Sequence, residues 1–272
     1  YRPYLENYFS TLGNNKTNFF TDISNYISYE LGQPTHCFNR DSINSKFSLE
    51  NKELYSTFKT LLGNEISLEG KNCVFSMNDE VISLAGVMGG ASTACNFDTQ
   101  SVLVECAYFN PESIIGKSMK YNLTSDAAHK FERGVDIEAQ DKVLRRFIKI
   151  VQDHAAIESI KIKSFIAKEH QDISIPINVT KINNILGTQL NESKYLSYIE
   201  KLGFETNSTI KVPSYRSDIK TQNDLAEEIA RVLGYDNIAS SPINLERKIK
   251  NRKTDKVSLI ESFLVANGFS EV

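Results

Sequence analysis

The sequence has no apolar run long enough to cross a membrane, so no membrane-spanning helix is expected. It shows no charged-then-apolar leader, and it begins at Tyr1 without a methionine and stops at Val272 inside a patterned segment, as a piece of a longer protein would. Its four cysteines, Cys37, Cys73, Cys95 and Cys106, form no C-x-x-C pair, which removes zinc-ribbon and thioredoxin-type readings. Scattered thiols in a chain of this size point to a reducing, cytoplasmic compartment. Charge of one sign is also missing. A formal net charge of −3 gives no bulk attraction to DNA or RNA, so any RNA contact must be local. There is no G-x-x-x-x-G-K-[ST] phosphate loop, hence no sign of ATP binding in these residues. No Ser-His-Asp or Cys-His arrangement is supported by spacing. No internal repeat or long low-complexity tract interrupts the chain.

What remains is an ordinary globular composition: 272 residues, 40% hydrophobic and 24% charged, enough for one large or two modest domains. In the first half, Ile66–Leu68, the break Gly70–Asn72 and Cys73–Ser76 read as a hairpin. Val81–Ala85 is a short apolar run stopped by Gly86, and Ser101–Cys106 alternates up to Asn110–Pro111. From Asp136 to His154 the apolar positions Val143, Leu144, Phe147, Ile148 and Val151 recur at helical spacing. Lys161–Lys168 is expected to be a last strand. A smaller unit follows. In it, a helix around Ile182–Leu186 closes at Gly187, and a helix capped by Asn191 ends at Gly203. Ile210–Ser214 reads as a strand and Asp224–Leu233 as a third helix. Arg247–Lys256 is a basic linker, and Val257 to Gly268 reads as a final helix.

Several phrases recur in a fixed order. Asp22-Ile-Ser-Asn-Tyr26 precedes Leu31-Gly-Gln-Pro-Thr-His36, then Leu84-Ala-Gly-Val-Met-Gly-Gly90 and Val104-Glu105. Tyr108-Phe-Asn-Pro111, Ser125-Asp-Ala127 and Phe131-Glu-Arg-Gly134 follow. Near the end stand Val212-Pro-Ser-Tyr-Arg216, Asp218-Ile219, Glu227-Glu-Ile-Ala-Arg231 and Gly234-Tyr-Asp236. In this order they closely resemble the β-subunit of bacterial phenylalanyl-tRNA synthetase across nearly the whole chain.

The resemblance implies an α+β fold: a mixed-sheet editing domain at 1–167, a small winged-helix-like domain at 168–240, and a linker with the start of a catalytic-like domain at 241–272. It implies that the first unit hydrolyses tyrosine wrongly esterified to the phenylalanine tRNA. The alternative from another class is a non-catalytic module that docks tRNA or the α-subunit. In the full enzyme the resemblance implies ATP, Mg²⁺ and a heterotetramer of two α- and two β-subunits, with the synthetic site outside this chain.

By the same resemblance the tyrosine-reading carboxylate is Glu105, His36 lines the pocket, and Gly86 lies in the glycine stretch and supplies an oxyanion donor. Ser24, Asn25, Ser125 and Ala127 are expected to contact substrate, with Ser24 and Ser125 standing where relatives carry threonine. Cys37 is expected to pack rather than react. Upstream, Asn15-Lys-Thr-Asn18-Phe19 keeps one asparagine but departs from the family's Arg-Pro-x-Asn-Asn. Asp218, Asp224, Glu227 and Glu228 match the positions of a Mg²⁺ site that the resemblance attributes jointly to the two subunits. Taken without the resemblance, Asp224-x-x-Glu227 is a helix-capping pattern, and both readings stay open at this stage.

Overall fold

The computed structural model describes residues 1–166, 169–240 and 255–271. The chain opens with helices α1 (Pro3–Leu12) and α2 (Phe19–Leu31). Asn18 starts α2 by accepting a hydrogen bond from the Thr21 N–H at 3.1 Å, and its amide reaches the Cys95 carbonyl at 3.1 Å. The asparagine kept in the altered upstream segment is therefore a helix cap. Gly32, at φ +73°, ends the helix.

Six strands follow: β1 (His36–Asn39), β2 (Phe47–Lys59), β3 (Glu65–Met77), β4 (Glu80–Leu84), β5 (Met88–Gly89) and β6 (Val102–Glu105). β2 to β5 form an antiparallel sheet in sequence order, while β1 pairs only with β6. Short helices α3 (Pro111–Ile114) and α4 (Lys117–Lys120) lead to α5 (Asp126–Arg133) and the long α6 (Gln140–His154).

The expected hairpin around Gly70–Asn72 is wrong. β3 runs straight through those residues, and its pairing with β2 is unbroken from Lys59↔Glu65 to Phe47↔Met77. The turn lies at residues 60–64, closed by the Thr60 N–H on the Asn64 carbonyl at 2.8 Å. Gly70 sits mid-strand at φ +72°, a conformation that a side chain would resist. The Glu69 carbonyl beside it is held by the Tyr121 hydroxyl at 3.0 Å and Lys120 at 2.6 Å.

The β1–β6 ribbon divides two cores, because successive strand side chains point to opposite faces. Cys37 and Val104 face α2 and α6, where they meet Ile23, Ile27, Val143, Phe147 and Ile150. Phe38 and Leu103 face the larger sheet and pack with Phe58, Phe75 and Leu84. Phe147 is 3% exposed, so Phe147→Ala would cost about 3–5 kcal/mol.

Residues 155–166 form no strand, and Ala167 and Lys168 of the expected last strand lie outside the described residues. The second unit contains β7 (Ser174–Pro176), α7 (Val179–Leu186), α8 (Glu192–Lys201), β8 (Glu205–Thr206), β9 (Thr209–Lys211) and α9 (Gln222–Leu233). Its three helices and three-stranded sheet, ordered β7-β9-β8, enclose a separate core built on Ile182, Tyr195, Ile199 and Leu225. The chain is thus α+β. A last helix, α10 (Lys256–Ala266), follows residues 241–254. Most of the basic linker expected at Arg247–Lys256 falls in that stretch, outside the described residues.

Candidate active site

An open cleft with an empty volume of ≈ 360 Å³ lies where the β1–β6 ribbon meets the β4–β5 turn and α5. His36 and Glu105 are direct antiparallel partners, which puts both side chains on one face of the ribbon, and both line the cleft. The same alternation that buries Phe38 and Leu103 therefore directs the histidine and the carboxylate into one space.

Their electrostatics follow from enclosure. Burial pushes the Glu105 carboxyl up to about 8, and no described residue donates a hydrogen bond to it. Burial likewise pulls His36 down to about 4, so its imidazole is neutral at physiological pH. The His36 ring stands edge-on to Phe38 with centroids 4.4 Å apart, and its buried Nε2 has no partner among the described residues. Gly89 makes room for that ring. A Cβ there would come within 2.4 Å of His36 Cε1.

Gly86 lines the cleft from the β4–β5 turn, at φ +68°. The turn is closed by the Val87 N–H on the Leu84 carbonyl at 3.0 Å. The Gly86 N–H itself makes no hydrogen bond among the described residues. Ala127 and Phe131, one helical turn apart on α5, complete the wall.

The other expected contacts lie elsewhere. Ser24 is buried on the far face of β1, its hydroxyl 3.2 Å from the Cys37 sulfur. Asn25 is exposed on α2 and does not line the cleft. Ser125 caps α5, accepting from the Ala128 N–H at 3.2 Å, so its hydroxyl is committed to the helix. Cys37 faces the α2–α6 side, and burial pushes its thiol up to about 12, as suits a packing residue. Sequence reasoning missed Thr35, Ser83 and Phe131 as lining residues. Strand alternation could not have found Thr35, because it sits one residue outside the ladder that begins at His36.

The four acids expected to hold Mg²⁺ do not gather into a ligand set. Asp218 is taken by Arg216, through two hydrogen bonds at 2.9 and 2.7 Å. Glu228, 2% exposed, accepts from Arg216 at 2.7 Å and Arg231 at 2.6 Å. Asp224 accepts from the Lys220 and Thr221 N–H groups and completes a capping box with Thr221, so the box is Thr221–Asp224 rather than Asp224–Glu227. Glu227 is solvent-facing and 3.9 Å from Arg231. Among the described residues no three of these acids bring oxygens close enough to share an ion, and the arginines already neutralise the buried one. Without ligands from the α-subunit these four residues form no metal site.

Residues 4–156 match the B3/4 domain family, and residues 175–235 match the tRNA synthetase B5 domain. The phenylalanine–tRNA ligase beta subunit of Burkholderia pseudomallei (strain 1710b) is 32% identical over 266 residues, covering 95% of this chain and 33% of that protein. The same subunit of Shewanella oneidensis (strain MR-1) is 33% identical over 261 residues, covering 92% of this chain and 33% of that protein. An N-terminal fragment of the phenylalanyl-tRNA synthetase beta-subunit from Pyrococcus horikoshii aligns with 79% of this chain and 65% of its own, at 13% identity and a TM-score of 0.38. The chain spans about a third of the length of the curated relatives it matches, at 33% of each. With one domain over more than half its length and the other directly after it, the chain belongs to the B3/4 domain family and carries the B3/4–B5 arrangement of a phenylalanine–tRNA ligase beta subunit.

Proposed function

We propose that the first unit, residues 1–167, is an editing domain that hydrolyses tyrosine wrongly esterified to the phenylalanine tRNA. The observation that carries the reading is the half-buried Glu105 carboxyl, without a hydrogen-bond partner among the described residues and opposite His36 in the cleft. A synthetic pocket shaped for phenylalanine cannot strongly reject an isostere that merely adds a hydroxyl. A second site that pairs with that hydroxyl inverts the problem. Tyrosine satisfies the carboxyl, whereas phenylalanine leaves it unpaired and is disfavoured.

The chemistry needs no covalent intermediate, because the ester is already activated. Gly86 N–H meets the developing oxyanion, Ala127 leaves room for the ring, and neutral His36 orients water or the terminal ribose. By the same reading the parent enzyme joins phenylalanine to its tRNA with ATP, pairs with an α-subunit as a heterotetramer of two α- and two β-subunits, and works in the cytoplasm. ATP and Mg²⁺ belong to that synthetic step and take no part in the hydrolysis. The second unit, 168–240, is a structural support in this reading.

The test supplies tyrosyl- and phenylalanyl-tRNA to the full chain and follows ester loss. Preferential hydrolysis of the tyrosyl ester is expected, with Glu105→Ala losing the preference while keeping its melting temperature. Equal background rates on both esters would end the proposal.

A further inference from the structure

A second open recess is bordered by both units. Tyr108 and Val135 line it from the first, and Val212, Arg216 and Lys220 from the second. Two of these residues follow closely on residues of the cleft. Tyr108 comes three positions after Glu105, a chain distance of at most about 11 Å, and Val135 comes four after Phe131. The exit from β6 and the end of α5 therefore serve both recesses.

Val135 and Val212 are buried, whereas Tyr108 and Lys220 are exposed. The Tyr108 ring is 39% exposed and stacks on no other ring among the described residues, while its neighbour Phe109 is packed edge-on against Phe75 and Phe131. Arg216 is already matched by Asp218 and Glu228. Lys220 has no carboxylate partner among the described residues, although its neighbours Arg216 and Arg231 do. The acids on this side, Glu138 and Asp172, gather within 4.8 Å of His170, and Asp172 is held by Lys211 at 2.8 Å. An anion is therefore directed to Lys220 rather than to His170. An exposed ring beside an unanswered cation is the pairing by which proteins hold single-stranded nucleic acid, the base on the ring and the phosphate on the charge. It also supplies the local RNA contact that a net charge of −3 requires.

We propose that Tyr108 and Lys220 form a subsite for the single-stranded 3′ end of the tRNA, just before the nucleotide that carries the ester, a role that rests on the editing reading above. With the last ribose at His36, the strand continues from the cleft toward Tyr108. A base of the preceding nucleotides lies on the Tyr108 ring, and a phosphate meets the Lys220 ammonium. The second unit thereby takes part in substrate capture as well as support. No bond is made or broken in this subsite, so it acts on affinity and not on the chemical step.

The full chain is titrated with a short single-stranded RNA ending in CCA, and hydrolysis of tyrosyl-tRNA is followed on the same samples. Tyr108→Ala should raise the Kd for the RNA about tenfold, and Tyr108→Phe, which keeps the ring, should leave it unchanged. Lys220→Ala should weaken binding and make the dependence of log K on log salt shallower by about 0.7. On tyrosyl-tRNA both alanine variants should raise KM with kcat unchanged, and on tyrosine ethyl ester, which has no nucleotides, both should match the unsubstituted chain. Absence of RNA binding by the unsubstituted chain overturns the subsite, as does a Kd indifferent to both alanine substitutions. An equal loss on the ethyl ester overturns it too, because that marks a structural effect. RNA binding that both variants weaken, with no hydrolysis by the unsubstituted chain, ends the editing reading and leaves the RNA site. Hydrolysis with RNA binding untouched by the substitutions ends the subsite and leaves the editing reading.

Discussion

Glu105→Gln should change how stability depends on pH, and the change can be worked from the cleft. The Glu105 carboxyl titrates at about 8 in the folded chain and at 4.5 when unperturbed. Between those values the folded state holds a proton that the unfolded state has lost. Stability from this group is therefore full below 4.5 and drains away as pH rises toward 8, by at most 1.36 kcal/mol per pH unit. His36 acts in the opposite sense. Its folded value is about 4 against an ordinary 6.5, so the unfolded state binds more protons between those limits and stability rises with pH there. The two slopes oppose each other up to about 6.5, and Glu105 dominates above it.

From pH 6.5 to 8 the Glu105 contribution falls by about 1.5 kcal/mol, an upper bound because the cleft is open to solvent. At about 2–4 °C per kcal/mol for a chain of this size, that is a relative shift of ~3–6 °C. Glutamine keeps the shape and removes the titration, so the variant should lose that slope. Buried Cys37, Cys95 and Cys106 add a stability loss of the same sign at higher pH, but they are common to both proteins and cancel in the comparison. The assay is thermal and urea unfolding by far-ultraviolet circular dichroism across this pH interval. Parallel pH profiles for the two proteins would refute an enclosed, unpaired carboxyl at Glu105.

Two further substitutions separate the cleft from its surroundings. Ala127→Leu places extra carbons in the wall of the cleft and should slow hydrolysis of tyrosyl-tRNA by on the order of 10²-fold, while Asn25→Ala on the exposed face of α2 leaves it unchanged. Arg216→Ala removes one of two guanidinium partners from the 2%-exposed Glu228 and should cost about 3 kcal/mol, read as a drop in the second unit's unfolding midpoint, with Arg216→Lys recovering part of it.

The fold was legible wherever local chemistry and burial agree. Helix α6 announces itself through Val143 and Phe147, which are buried as the spacing requires, and the second unit's helices through Asn191, Gly187 and the residues they bound. The Gly70–Asn72 misreading has a physical source. Glycine and asparagine favour turns locally, but here the Glu69 carbonyl is gripped by Tyr121 and Lys120, some fifty residues away in sequence. No window of sequence contains that interaction. For the site, His36, Glu105, Gly86 and Ala127 converge, whereas Ser24 and Ser125 were named by the resemblance for hydroxyls that the structure spends on Cys37 and on a helix N-terminus. Residue type was readable in each case. The direction of the side chain was not.

The same contrast distinguishes the two acidic constellations. Both place carboxylates in protein surroundings, and a residue count would rate the four-acid group of the second unit the stronger site. Its charges are nonetheless answered. Asp218 and Glu228 are taken by guanidinium groups and Asp224 by backbone N–H groups of the helix start, an arrangement that holds α9 in place, with both arginines meeting the same Oε1 of the buried Glu228. In the cleft the accounts are left open: Glu105, His36 Nε2, Thr35 Oγ1 and the Gly86 N–H all lack partners among the described residues. Unpaired buried polar groups are destabilising, on the order of 1–3 kcal/mol each. Of these only His36 Nε2 and Thr35 Oγ1 are fully hidden, and hidden unpaired groups also occur in the second unit at Tyr195 and Gln222, so what sets the cleft apart is a half-buried carboxyl with no ion-pair partner among the described residues. On the editing function proposed above, a tyrosine phenol is the group that would meet that carboxyl.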